Sequence, residues 1–130
     1  MIRDNRLPLH TEIIGISLAG EDKAYPLAVI RKQGLIHDQV GGQHIAIVYA
    51  ADGDYVNAFY CHLGGQVIKL HIDSGALASR SGALRWTWAG QPLSANTPQL
   101  QKLQIQRQWW LGWMEFHPAS EVYQNVPEQV

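Results

Sequence analysis

The chain has 130 residues, of which 46% are hydrophobic and 16% are charged, so it can form a packed core and is not of a disordered type. Ten Lys and Arg against eleven Asp and Glu give a formal net charge of −1 without any basic block, which argues against nucleic-acid binding. No apolar run approaches the ~20 residues that cross a bilayer, and the stretch MIRDNRLPLHTE lacks the apolar region of a signal peptide.

The first third of the chain predicts two short strands and a helix. TEIIGISLAG, residues 11–20, alternates with the period of a strand and ends at a glycine that predicts a turn together with the acidic pair after it. KAYP, residues 23–26, predicts a second short strand. A proline suits the first turn of a helix, so PLAVIRKQ predicts one or two helical turns that end at Gly34.

The middle of the chain predicts hairpins. LIHDQVGGQHIAIVYA, residues 35–50, places a glycine pair between two apolar runs, and YVNAFYCHLGGQVIKLHI, residues 55–72, repeats that pattern. Residues 76–90 predict a further hairpin, and the Gln-rich residues 91–108 predict a long loop with one short strand or helix. The spacing of aromatic residues in WWLGWMEF, residues 109–116, favours a helical turn.

The sequence carries no motif of nucleophilic, metal or phosphate chemistry. The six histidines form no H-E-x-x-H motif, although His62 and His71 are candidates for cross-strand neighbours. Cys61, the single cysteine, excludes an intrachain disulfide and fits a reducing compartment without proving one. We therefore predict no catalytic residue and no metal site, and the sequence leaves the cofactor unknown.

A polar group at residues 23–38 is open to two interpretations. Lys23 and Tyr25 stand at the end of a predicted strand, and His37 and Asp38 precede the first glycine pair. Asp38 is suited to bond turn amides, and a Lys23–Asp38 pair is either structural or part of a site for a ligand anion.

The tryptophans are the second unusual feature, because three of the five lie within residues 109–113. They either pack in the core or form a stacking platform for a flat or sugar-like ligand, or an anchor patch for a protein partner. Trp109 and Trp110 are neighbours that cannot both face inward, so one of them is a candidate for exposure.

The order of these features resembles the bacterial domain of unknown function 3179 family. RLP is followed by TEIIGISLAGEDKAYPLAVI, IHDQVGGQHIAIVY, GQPL and finally WWLGWMEFHPASEVY, so the resemblance covers residues 6–123. Its most specific pieces are residues 23–26, 38–42 and 110–118. The resemblance implies a periplasmic or exported protein, although this chain has no signal peptide, and it assigns no catalytic residue.

Two departures from the family pattern bear on a site. The family often has Asn where this chain has His37. It also often has an aspartate and a T-x-S-x-W motif in the later part, whereas SGALRWTWAG keeps a tryptophan and loses the acid. If that acid belongs to a site in the family, the site is altered or absent here.

These observations predict a mainly β (α+β) single domain over residues 1–130, an antiparallel sheet roll or open barrel with hairpins and one or two short helices. We expect a soluble binding or accessory module, a subunit of a larger envelope-associated assembly, with a protein partner at the Trp109–Trp113 patch. The alternative is an enzyme or a metal or cofactor binder with a polar pocket around Lys23, Asp38 and His117. The predicted ligand-binding residues are Lys23, Tyr25, His37, Asp38, Trp110, Trp113 and His117.

Overall fold

A computed structural model describes residues 6–124 and has a mainly β architecture with two short helices. The predicted fold class is confirmed, and no sheet closes into a barrel within residues 6–124. The elements are β1 (Glu12–Leu18), β2 (Glu21–Pro26), α1 (Leu27–Gln33), β3 (Leu35–Val40), β4 (Gln43–Ala50), β5 (Tyr55–Tyr60), β6 (His62–Leu63), β7 (Gln66–Val67), β8 (Leu70–Asp73), β9 (Ala76–Ser79), β10 (Arg85–Trp86), β11 (Gln106–Trp109), α2 (Trp110–Phe116) and β12 (Glu121–Val122).

Two sheets make the body of the molecule. The first has the order β11-β1-β2-β12, in which β12 runs parallel to β2 and the other neighbours are antiparallel. The second has the order β3-β4-β5 and is antiparallel throughout. Smaller sheets are formed by β10-β9-β8 and by the β6-β7 hairpin.

Glycines close two of the predicted hairpins. Gly41 and Gly42 have φ angles of 56° and 76°, and Gly64 and Gly65 have angles of 57° and 80°. L-residues with a side chain rarely adopt this left-handed region, so the glycine pairs fix where β3 turns into β4 and β6 into β7. The predicted helix is also confirmed as α1, and its C-terminal cap is Gly34.

The first sheet has two differently covered faces. The face that carries Lys23 and Tyr25, here called the inner face, packs against α1 and the second sheet through the cluster that contains Ile14 and Ile47. The opposite face carries Ala24 and is covered by α2, whose Trp110 and Trp113 are buried there. We call it the α2 face, and this division decides where each candidate residue lies.

The later part of the chain differs from the prediction in detail. Residues 66–72 form β7 and the beginning of β8 rather than one strand, and the strand in the Gln-rich segment is β11. Trp109 ends β11 with extended backbone angles and precedes α2 instead of belonging to it. The side chains of Trp109 and Trp110 therefore point in different directions, because α2 begins between these two residues.

Candidate functional site

Lys23, Tyr25 and Asp38 meet on the inner face. Lys23 and Tyr25 are two residues apart on β2 and point the same way, and β3 brings Asp38 opposite them. Lys23 Nζ lies 2.8 Å from Asp38 Oδ2, and the Tyr25 hydroxyl donates to the same oxygen at 2.7 Å. The side chains of Lys23 and Asp38 are only 17% and 19% exposed, so the predicted pair exists and is largely shielded from solvent.

The environment shifts the pKa values of this cluster in opposite directions. Burial alone raises the pKa of the Asp38 carboxyl, but hydrogen bonds from Lys23 and Tyr25 outweigh it, so the pKa lies below its ordinary value. Burial, followed by the hydrogen bond to Asp38, raises the pKa of Tyr25 well above its ordinary range. The cluster therefore holds a charged aspartate and a neutral tyrosine across physiological pH.

His117 lies on the α2 face and does not join this cluster. Its Nδ1 is 3.2 Å from Asp22 Oδ2, and Ser17 Oγ donates to Asp22 Oδ1 at 2.5 Å. Asp22 precedes Lys23 in β2, and successive side chains in a strand point to opposite faces. The single pocket predicted around Lys23, Asp38 and His117 is therefore corrected: the sheet separates His117 from the other two.

The Ser17, Asp22 and His117 arrangement does not activate a nucleophile. In nucleophilic catalysis the histidine lies between the serine and the acid so that it can accept the serine proton. Here the aspartate lies between the other two and accepts from Ser17 directly. The geometry is that of a surface bridge between β1, β2 and the end of α2.

The tryptophans of α2 are packed on both ring faces. A side chain at Gly15 would place a Cβ 2.3 Å from Trp113, so the ring lies directly over that glycine. His117 stacks on Trp113 with centroids 3.9 Å apart, and Trp113 Nε1 donates to Ser120 Oγ. Trp110 is fully buried as well. Neither tryptophan presents a free face for stacking a flat or sugar-like ligand.

His37 and Asp38 face different clusters because they are adjacent in β3. His37 Nε2 is 3.1 Å from the backbone nitrogen and oxygen of Leu70, while its buried Nδ1 has no hydrogen-bond partner among the described residues. Burial lowers the pKa of His37, and the charge of Lys69 lowers it further. The ring thus connects β3 to β8 as a neutral group.

An open groove of about 330 Å³ runs beside β3 and is lined in part by His37, Asp38, His44 and Cys61. Burial raises the pKa of the Cys61 thiol to about 11, so this sulfur is protonated and a poor nucleophile at neutral pH. Within residues 6–124, no three His, Cys, Asp or Glu side chains are grouped as a metal site requires. No helix in the described part of the chain is long and apolar enough to cross a membrane.

The exposed aromatic residue of the 109–113 segment is Trp109, which is 51% exposed. It ends β11, the edge strand of the first sheet, and its ring meets His10 edge-on at 5.5 Å. The three tryptophans of this segment do not form one exposed patch as predicted, because Trp110 and Trp113 are buried and Trp109 alone of the three is exposed. Phe116, at the far end of α2, is 81% exposed.

A second polar cluster at the surface was not anticipated from the sequence. Asp54, in the turn before β5, accepts hydrogen bonds from Tyr49, Arg31 and Arg107. Arg107 also bonds Glu12 at 3.0 Å. No local motif marks these residues, since they come from four separate segments of the chain.

Comparison with known proteins gives a family and no function. A family model described as "Protein of unknown function (DUF3179)" matches residues 1–120. No curated protein and no solved structure matches this chain.

Proposed function

We propose, for a chain that belongs to the DUF3179 family of proteins of unknown function, a role as a binding or accessory module that contacts another protein. The contact region is the free edge of β11 together with Trp109, here called the β11 edge. The proposal treats residues 1–130 as one unit and as a subunit of a larger assembly, and the family resemblance favours an envelope location for it.

One observation carries the proposal: a half-exposed tryptophan ends a strand whose outer edge has no partner strand among the described residues. Tryptophan is enriched among the residues that dominate binding energy at protein interfaces. An unpaired edge also offers backbone donors and acceptors, which natural proteins otherwise cover or protect. The two features reinforce each other because they lie at one place.

The catalytic alternative has weaker support in the geometry. It requires Lys23, Asp38 and His117 to converge within hydrogen-bond reach of one substrate atom. Lys23 and Asp38 instead satisfy each other on the inner face, and His117 pairs with Asp22 on the α2 face. We therefore do not propose an enzymatic role.

The test compares two exposed apolar side chains in different places. A partner is identified by cross-linking from the exposed position 106 of β11 in the native host, then purified, and its dissociation constant is measured for the wild type, Trp109→Ala and Leu93→Ala. Leu93 is 56% exposed and lies outside β11, so it is a matched control. We expect Trp109→Ala to weaken binding by about 30-fold, as for an interface anchor, and Leu93→Ala to leave it unchanged. Equal affinities for all three proteins would contradict the proposal.

A further inference from the structure

The register of β11 determines which backbone groups reach its outer edge. The Trp110 N–H donates to the Thr11 carbonyl at 2.8 Å, and Glu12 lies opposite Trp109 in the same ladder. Hydrogen-bonded pairs alternate along an antiparallel ladder, so Gln106 and Gln108 bond to β1. The N–H and C=O groups of Arg107 and Trp109 therefore point away from the sheet.

In the second sheet, the outer edge strand is β5, and a segment of the chain covers it. The Leu103 N–H donates to the Ala58 carbonyl, the Tyr60 N–H donates to the Gln101 carbonyl, and Lys102 bridges Phe59. Residues 101–103 thus cover the outer edge of β5. Three residues later the same chain enters β11, where no described residue provides such a cover.

We propose that the β11 edge pairs with the β11 edge of a second copy of this chain, antiparallel about a twofold axis at Gln108. This inference rests on the proposed function and names the partner. Arg107 then lies opposite Trp109 of the second copy, and each such pair exchanges two backbone hydrogen bonds. The two four-stranded sheets become one continuous sheet of about eight strands, a self-complementary interface of the kind that twofold symmetry requires.

The side chains of the edge suit this register. The Arg107 guanidinium is already bound by Glu12 and Asp54, so the seam brings together no unpaired like charges. Its position opposite a half-exposed indole favours a cation–π contact across the seam. On the α2 face, Gln108 meets Gln108 of the second copy, and amide side chains can donate and accept.

The helix leaves room for the second copy. α2 packs inward over β1 and β2, where Trp110 and Trp113 contact Ile13 and Ala24. Its C-terminal neighbour His117 reaches Asp22 of β2, so the helix runs away from the free edge.

A proline substitution separates the backbone contribution from the side-chain contribution. Trp109 has a φ angle of −74°, which lies within the range that proline adopts, and its N–H makes no bond within the sheet. Trp109→Pro should therefore fold, while removing both the indole and the outward donor. Trp109→Ala removes only the indole.

Sedimentation equilibrium over a concentration series should give dimers for the wild type and for Leu93→Ala. We expect Trp109→Ala to raise the dimer dissociation constant by about tenfold or more, since it removes the cation–π contacts, and Trp109→Pro to raise it further, since it also removes the outward backbone donors. Melting curves should show that both variants remain folded. Equal dimerisation of all four proteins would overturn the inference.

Disulfide trapping tests the register itself. The axis places Gln108 opposite its own copy at a non-hydrogen-bonded position, where Cα atoms are about 4.5 Å apart and a disulfide can form. Gln106→Cys lies on the same face, but its two copies would be about 14 Å apart along the strands. Mild oxidation should cross-link Gln108→Cys rapidly, and neither Gln106→Cys nor the wild type, whose single cysteine is buried, should react.

The outcomes distinguish this inference from the proposed function. Faster trapping of Gln106→Cys, or a wild type that stays monomeric up to its solubility limit, would overturn the twofold pairing. If Trp109→Ala still weakened binding to a different purified protein, the binding role would stand without the dimer. If the dimer formed as described but no other partner depended on Trp109, the β11 edge would serve self-association alone.

Discussion

Asp38 and Asp54 bind the same kinds of group in two different environments. Each aspartate accepts a hydrogen bond from a tyrosine hydroxyl and pairs with at least one cationic side chain. The Asp38 side chain is 19% exposed, whereas the Asp54 side chain is 47% exposed. Hydrogen bonds from Arg31 and then Tyr49 hold the pKa of Asp54 far below its ordinary value. At Asp38, burial opposes the hydrogen bonds, and the pKa is lowered less.

The two aspartates show that a lowered pKa does not measure what an ion pair contributes to folding. Water and salt can replace the partners of Asp54 when one is removed, so the folded state loses little. Removing Asp38 instead leaves the Lys23 ammonium shielded from water, with the largely exposed Glu121 carboxylate, 4.0 Å away, as its remaining counter-charge among the described residues. The environment of the partner left behind decides the cost.

The largest effect is expected for Asp38→Asn. The amide keeps an acceptor for the Tyr25 hydroxyl but removes the charge that Lys23 requires, so the free energy of unfolding should fall by about 3 kcal/mol. Chemical denaturation of the wild type, Asp38→Asn and Asp54→Asn measures the difference. A smaller loss of stability in Asp38→Asn than in Asp54→Asn would contradict the role assigned to burial.

Gly15→Ala measures how much stability is lost when the core is overpacked, and the effects of removing charges can be compared with that loss. The new methyl group would meet the Trp113 ring at 2.3–2.6 Å, and the stacked His117 limits how far that ring can shift. We expect a loss of about 1–3 kcal/mol, typical of an overpacked core.

The matched control for that substitution is Gly112→Ala. Gly112 lies in α2 and meets only the end of the flexible Gln108 side chain, at 3.0 Å. Alanine should there stabilise the protein by about 0.5–1 kcal/mol through its helix propensity. Tryptophan fluorescence during denaturation reports both variants, and destabilisation by both would contradict the assigned packing of α2.

Lys23→Met should cost about 1–2 kcal/mol at neutral pH, because it leaves the Asp38 carboxylate with neutral donors only. The pH dependence of this loss of stability is a more specific test than its size. In the wild type, the folded pKa of Asp38 lies below its unfolded value of about 3.9, so its contribution is present above that pH and is lost as pH falls through the folded pKa.

Lys23 supplies the largest of the interactions that lower the folded pKa of Asp38, so the folded pKa should be higher in the variant than in the wild type. As pH rises from the wild-type folded pKa to that of the variant, the variant should gain less stability than the wild type. The difference between the two proteins should therefore grow with pH over that range. A difference independent of pH would mean that Lys23 acts through its aliphatic chain rather than its charge.

Strand periodicity predicted much of this architecture because its signals are local. The alternation in residues 11–20, the glycine pairs and Pro26 each act within a few residues, and β1, the β3-β4 hairpin and α1 follow from them. The Lys23–Asp38 pair could be predicted from its residue types, but not its setting: Lys23 lies within β2 of the first sheet and Asp38 within β3 of the second, so the two meet where the sheets pack.

The position of His117 depended on which face of the first sheet α2 covers. Gly15 and Ala24 lie directly opposite each other in β1 and β2, and two small residues at one spot mark the place where a large ring packs. That pairing places α2 on the face of Asp22 and away from Lys23. The Asp54 network offered no comparable signal, because its members meet only after the two sheets pack.

The smallest effect is expected for Asp54→Asn, and salt provides its test. The side chain stays accessible to water, and the amide oxygen still accepts from Tyr49 and from one of the arginines. The melting temperature should change less than for Asp38→Asn, Gly15→Ala or Lys23→Met. At about 1 M salt, where charges are screened beyond about 3 Å, the remaining difference should vanish, whereas the loss in Asp38→Asn should persist because the shielded Lys23 is little screened. If salt abolished the loss of stability in both variants, both ion pairs would be equally screened, and burial would not explain the difference between Asp38 and Asp54.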